Sequence, residues 1–270
     1  MRIKGNPVWI AFSLFLLFSL LFLIAGFGWA VTDILDSPSE GFSDKEPQQA
    51  KGNDSETALL LTLGDSLTRG TGDPDGQGYA GRVKEHLRKE HSQISAVNLA
   101  VKGQTSDQLK DQIQQSRVRH LLGEARWITL TIGGNDLFQN SGQTETIDWK
   151  QSEKARKRYQ KNLESTLSTI RRKNPKTPVF LFGLYNPFGD LGQKETSNRI
   201  VGEWNRTLTE TAEKFDQVVV IPVFDLFQLN PRAYLYSDHF HPNQKGYARM
   251  TDRLLQAMEE EEKEVSTDAR

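Results

Sequence analysis

The chain has 270 residues, 36% of them hydrophobic, with 34 basic against 35 acidic side chains for a formal net charge of −1. That balance, without a basic stripe, argues against nucleic acid as a partner. The absence of cysteine excludes disulfides and thiol-linked lipid, so stability must come from an ordinary core.

Residues 8–30 are 23 nearly unbroken apolar positions, where about 20 suffice for a helix to cross a bilayer. Arg2 and Lys4 precede the run and Asp33 and Asp36 follow it. By the bias of basic residues toward the cytoplasm, the N-terminus stays inside and the remainder lies outside. Residues 1–30 are therefore expected to be a signal anchor. The alternative is a signal peptide cleaved after Gly28-Trp29-Ala30, which leaves the protein secreted. Residues 31–57 are dominated by Ser, Asp, Glu, Pro and Gln and are expected to be a disordered tether. The remaining residues, 58–270, are expected to form one domain.

Within that domain, short apolar runs alternate with amphipathic or charged stretches. Strands are predicted at 58–63, 94–101, 127–132, 178–184 and 217–223. Helices are predicted at 78–91, 105–118, 153–173, 196–215 and 244–262. Strands alternating with helices imply βαβ crossovers and a parallel sheet covered on both faces. The strands are continuously apolar, as a doubly covered sheet requires. In such a sheet, ligands bind at the carboxyl ends of the strands. Four chemistry-bearing segments fall there: Gly64-Asp65-Ser66-Leu67, Gly103, Gly133-Gly134-Asn135-Asp136 and Asp238-His239-Phe240-His241.

Each segment has a bland reading beside a chemical one. Ser66 at a strand–helix junction is either a helix cap or a nucleophile awaiting a base. It lies outside the G-x-S-x-G elbow pattern and outside any phosphate loop. Asp238 and His241 are either turn residues or a carboxylate that orients an imidazole base, with His239 as a rival base. Asn135 and Gly103 are either turn residues or donors to a tetrahedral oxyanion, where one donor is worth roughly 3–4 kcal/mol. A metal site built from Asp65, Asp238, His239 and His241 is a further alternative. His86, His91 and His120 read as surface groups.

At these residues the chain resembles the SGNH, or GDSL, hydrolase superfamily of esterases, lipases and acylhydrolases. It is most similar to the bacterial GDSL-type lipase/acylhydrolases of Gram-positive bacteria. The resemblance covers about 59–258. It rests on Leu63-Gly64-Asp65-Ser66-Leu67-Thr68, on Asn98-Leu99-Ala100 with Gly103, on Gly133-Gly134-Asn135-Asp136, and on Asp238-His239-Phe240-His241-Pro242-Asn243. It implies a flavodoxin-like three-layer α/β/α sandwich with a five-stranded parallel sheet in the order 2-1-3-4-5. It also implies a triad of Ser66, Asp238 and His241, an oxyanion hole of the Ser66 and Gly103 N–H groups and the Asn135 side chain, and no metal or cofactor.

The expected substrate is a small-molecule, lipid, lysophospholipid or O-acylated sugar ester, with the membrane reached through the N-terminal helix. Loops 138–149, 185–194 and 225–237 are expected to set specificity. Phe188, Trp149 and Tyr234 either line the site or lie buried. Two other functions compete: a surface glycan-binding module without turnover, and a metal phosphoesterase in which Ser66 is dispensable.

Overall fold

Five apolar runs become the strands of one sheet: β1 (Ala58–Gly64), β2 (Ile94–Asn98), β3 (Ala125–Thr131), β4 (Val179–Phe182) and β5 (Val218–Ile221). All neighbouring pairs are parallel and the spatial order is β2-β1-β3-β4-β5. The computed structural model describes residues 57–91, 93–140, 149–188 and 194–268, with six positions between 15 and 22. The chain divides into two units, Met1–Asp54 and Ser55–Arg270. In the first, the described positions are helical and expose Phe15, Leu16, Phe18, Leu20 and Phe22. The rest of the expected span 8–30, and the tether apart from Thr57, lie outside the described residues. Among the described residues, no helix is long and apolar enough to cross a membrane.

In the second unit, helices cover both faces of the sheet. They are α1 (Ser66–Arg69), α2 (Gly78–Glu90), α3 (Ser106–Gln112), α4 (Ser116–Glu124), α5 (Gly134–Asn140), α6 (Trp149–Lys173), α7 (Lys194–Ala212), α8 (Phe224–Gln228), α9 (Pro231–Tyr234) and α10 (Gln244–Asp268). Successive strand side chains point to opposite faces. Leu61, Leu63, Ile128, Leu130, Val179 and Leu181 therefore face one core with α3, α4, α6 and α7. Leu60, Trp127, Phe180 and Phe182 face the other with α2 and α10. This is the three-layer arrangement, and the strand order is the one that the resemblance implies. Where β1 meets β3, the register slips between Leu59 and Leu60, so that Ala125 and Trp127 pair and Arg126 bulges outward.

Two expectations need correction. The helix predicted over 105–118 is two helices, α3 and α4, broken at 113–115. Val118 lies nine residues beyond Leu109, about two and a half turns in a straight helix. It would then face away from the core that Leu109 enters. The break turns Leu109, Ile113, Val118 and Leu122 onto one core. The strand predicted to reach residue 101 stops at Asn98 instead. There the Asn98 side chain accepts from Ala100 N–H (3.0 Å) and donates to the Thr68 carbonyl (2.9 Å), which bends the chain toward α1.

The carboxyl ends of β1, β2 and β3 lead directly into Ser66, the Gly103 turn and Asn135. The loop carrying Asp238 and His241 enters the same edge between α9 and α10.

Candidate active site

Ser66 opens α1 at the end of β1. The turn is sharp because Gly64 takes φ +123°, and a Cβ there would lie 2.0 Å from the Thr131 carbonyl oxygen of β3. Only glycine lets β1 end pressed against β3 in that conformation. Asp65 caps the helix, accepting from Leu67 N–H (3.0 Å) and from the Thr131 hydroxyl (2.8 Å). Beneath it, hydroxyls link Thr131 to Thr68 (2.8 Å), Thr68 to Tyr79 (2.6 Å) and Tyr79 to Thr129 (3.2 Å). Burial pushes the Asp65 carboxyl up to about 6, against the downward pull of these hydrogen bonds.

The second part of the site is a tight loop between α9 and α10. Leu235 and Pro242 form an antiparallel bridge, and Tyr236 N–H donates to the His241 carbonyl (2.7 Å). Inside the loop, Asp238 Oδ1 accepts from the backbone N–H groups of Phe240 and His241, both at 2.9 Å. Its Oδ2 lies 2.7 Å from His241 Nδ1, and His241 Nε2 lies 2.9 Å from Ser66 Oγ. Partial burial raises the Asp238 carboxyl. The bonds from the His241 ring and the two backbone N–H groups outweigh it and hold the carboxyl below the usual carboxylate value. The chain therefore carries an unbroken line from hydroxyl to imidazole to carboxylate.

His241, and not His239, reaches Ser66. His239 sits at the loop tip with φ +56°, exposed, its N–H donating to the Tyr236 carbonyl. Among the described residues, no three His, Asp or Glu side chains come together in a way that would hold a metal ion. His86 and His120 pair with Glu90 and Glu124 on exposed helix faces.

The third part joins β2 to β3. Gly103 takes φ +75° at an exposed turn, two residues after Val101, whose N–H donates to the Gly64 carbonyl (2.8 Å). Asn135 lies in the first turn of α5, and its side-chain amide donates to the Gln104 carbonyl (2.9 Å). Next to it, the buried Asp136 accepts from Ser106 N–H (2.9 Å) and Ser106 Oγ (2.5 Å), and Asn162 of α6 donates to that same hydroxyl (3.0 Å). Burial raises the Asp136 carboxyl and the Ser106 bonds oppose the rise. Asp136 thus ties the turn after β2 to the helix after β3.

Reading by motif misses Asp136's partners and the hydroxyl stack under Asp65. One signal was present: Thr129 and Thr131 share a face of an otherwise apolar strand, and two such residues in a doubly covered sheet need polar partners. Of the three candidate lining aromatics, Phe188 lies edge-on to Phe138, with centroids 5.2 Å apart. Tyr234 instead lies under the Arg249 guanidinium, 4.4 Å away. The side chain of Trp149 lies outside the described residues.

Two measurements test these supports. Asp65 binds its proton more tightly folded than unfolded, so stability falls as pH rises from the ordinary value of 3.8 through about 6. Urea unfolding across that window should show Asp65→Asn free of this loss, with a difference from wild type of up to about 3 kcal/mol. A slope shared by both proteins would refute the placement of the proton. Asp136→Ala removes one of the two ties between α5 and the turn after β2, leaving the Asn135–Gln104 bond, and is expected to lower kcat by about 10²-fold with little change in KM. A loss confined to KM would count against a clamp on the turn.

Comparison with known proteins gives the family. The profile of the GDSL-like Lipase/Acylhydrolase family matches residues 62–249. "Uncharacterized protein YpmR" of Bacillus subtilis is 34% identical over 215 residues, covering 76% of this chain and 83% of that one. "Spore germination lipase LipC" of Bacillus licheniformis is 28% identical over 211 residues, covering 74% and 96%. Among solved structures, the lipase Lip_vut3 from a goat rumen metagenome superposes with a TM-score of 0.66 at 27% identity, covering 74% of this chain and 97% of that one. The chain belongs to the GDSL-like lipase/acylhydrolase family and is a serine ester hydrolase.

Proposed function

We propose that Ser66, His241 and Asp238 are the catalytic triad, and that the oxyanion is held by the Ser66 and Gly103 N–H groups and the Asn135 amide. The observation that carries this reading is the continuous contact from Ser66 Oγ to His241 Nε2 (2.9 Å) and from His241 Nδ1 to Asp238 Oδ2 (2.7 Å). Asp238 keeps the proton on Nδ1, so Nε2 is free to accept from Ser66. Ser66 Oγ attacks the ester carbonyl as His241 takes its proton. The tetrahedral oxyanion forms against the three donors, two of them backbone groups at glycine or helix-entry positions. As the intermediate collapses, His241 gives the proton to the leaving alcohol and an acyl-enzyme remains. Water then attacks, His241 takes its proton and returns one to Ser66, and the acid leaves. Each step uses side chains, backbone N–H groups and, in the second half, one water molecule.

The substrate in this reading is a lipid or lysophospholipid ester or an O-acylated sugar, and the relative named a lipase supports the lipid side. The site works outside the cytoplasm, with residues 58–270 as the catalytic domain. It is held by residues 1–30 through the segment 31–57, or released if the first segment is cleaved. The apolar run 8–30 behind Arg2 and Lys4 supports this orientation.

A serine-directed phosphonate probe tests the chemistry. Mass spectrometry should find the label on Ser66 and lose it in His241→Ala, and Ser66→Ala should lower ester turnover by about 10³-fold or more. Label on another serine, or full turnover by Ser66→Ala, overturns the triad. For the location, protease added to intact cells should digest the domain; complete protection would place it inside.

A further inference from the structure

The turn that carries Gly103 is held from beneath by one side chain of α3. Leu99 N–H donates to the Thr62 carbonyl of β1 (2.9 Å) and Val101 N–H to the Gly64 carbonyl (2.8 Å), so the chain stays beside β1 until the turn begins. Gln104 N–H then donates back to the Val101 carbonyl (3.1 Å). This closes a four-residue turn with Gly103 in third place at φ +75°, a conformation that glycine adopts without strain. Residues 101–103 are exposed, whereas Gln104 is only 3% exposed. The Gln104 side chain runs inward, and its Nε2 donates to Gln112 Oε1 (3.0 Å). Gln112 is the last residue of α3, and its own Nε2 donates to the Leu99 carbonyl (2.8 Å). One amide therefore bridges the chain just before the turn to the residue that ends it.

Packing alone does not favour this arrangement. Among the described residues, no donor reaches the buried Gln104 Oε1. A buried acceptor without a partner costs stability, and a methionine of similar length would fill the space without that cost. What the glutamine supplies is a fixed place for its own backbone. The Gln104 carbonyl accepts from Asn135 Nδ2 (2.9 Å). A side-chain amide is planar, so holding one of its N–H bonds on that carbonyl sets the direction of the other. The position of residues 103 and 104 thus governs the aim of the Gly103 N–H and of the Asn135 amide together.

We propose that Gln112 is a positioning residue for the oxyanion hole, acting through Gln104 on Gly103 and Asn135. The inference rests on those two groups being oxyanion donors. Gln112 acts on the donors and not on the ester itself, so its loss weakens what forms only in the transition state. Asp136 holds the same segment at Ser106, so without Gln112 the turn is loosened and not released. The effect is therefore smaller than that of deleting a donor.

The test is hydrolysis of p-nitrophenyl butanoate by the purified full chain in mild detergent. Active sites are counted with the serine-directed phosphonate, so unfolded protein does not enter kcat. Acylation and deacylation both pass through a tetrahedral oxyanion, so kcat reads the hole whichever step is slower. Gln112→Met and Gln104→Met remove the clamp while keeping side-chain length and the Gln104 backbone carbonyl. Each is expected to lower kcat by about tenfold with KM within about twofold of wild type. The double variant should fall no more than about twofold below either single one, because both break one unit. Asn135→Ala should lower kcat by about 10²-fold or more, and adding Gln112→Met to it should cost less than about threefold. Unchanged kcat in both methionine variants, a loss confined to KM, or a full tenfold loss on top of Asn135→Ala overturns the positioning role and leaves the hole standing. An Asn135→Ala enzyme with kcat within about threefold of wild type overturns the oxyanion reading itself.

Discussion

The hydrogen bond between Ser66 and His241 joins residues 175 positions apart, and the rest of the site is arranged around keeping that contact. The loop that carries His241 is clamped against the chain just beyond α1. Gly72 has φ +94°, and a side chain there would strike the Pro242 carbonyl oxygen at 2.5 Å and His241 Cβ at 3.0 Å. The bare backbone is what allows the two loops to touch. Tyr247 of α10 donates to the Thr71 carbonyl (2.7 Å), and Gln244 donates to Asp75 (3.1 Å). Tyr185 holds the same loop from the β4 side. Asn243 spans the loop's base, donating to the Ala233 and Leu235 carbonyls and capping α10 through its oxygen. An imidazole on a loop this well pinned loses little freedom when it meets its partner.

Beneath Ser66, the fold accepts a cost to gain placement. A carboxylate as deeply buried as Asp65 is disfavoured by its surroundings. It is retained because it caps α1 and fixes the turn from which Ser66 emerges. The four hydroxyls below it satisfy one another and leave no slack for the turn to shift. A similar device recurs on the other side, where Asp136 joins Ser106 and Asn162. Three segments from different parts of the chain, α3, α5 and α6, meet at one buried carboxylate. Local stability is spent at both places on geometry, as is common where a site must be held ready for chemistry.

The edge of the sheet around Ser66 has an apolar side and an exposed side. Phe138 and Leu184 wall the side next to Asn135, and Phe240, reaching over from the His241 loop, closes it. The rest of that loop, Tyr236 to His239, is exposed. The division follows from topology: α5 rises from the central β3, deep in the sheet, while the loop of His241 arrives from the peripheral β5 and lies over the rim.

Much of this was legible in the residues themselves. Apolar runs alternating with helical stretches dictate a parallel sheet, because both faces of such strands must be covered. Gly64-Asp65-Ser66-Leu67, Gly103, Asn135 and Asp238 to His241 could be placed at strand ends from spacing alone. Periodicity could not decide between His239 and His241, two residues apart in a non-helical loop. That choice depends on the αL turn at His239 and on contacts with a loop far away in sequence. Nor could it see the break between α3 and α4, which exists because tertiary packing calls Val118 and Leu109 to the same core. Ser106 and Asn162, the partners of Asp136, are unremarkable in the sequence, since each is polar and each sits in a helix. The sequence by itself determined the strand order of events along the chain and the residue types that acyl transfer needs. Only the tertiary structure decided which of them touch, because contacts between segments so far apart are set by the packing of whole layers and not by any local pattern.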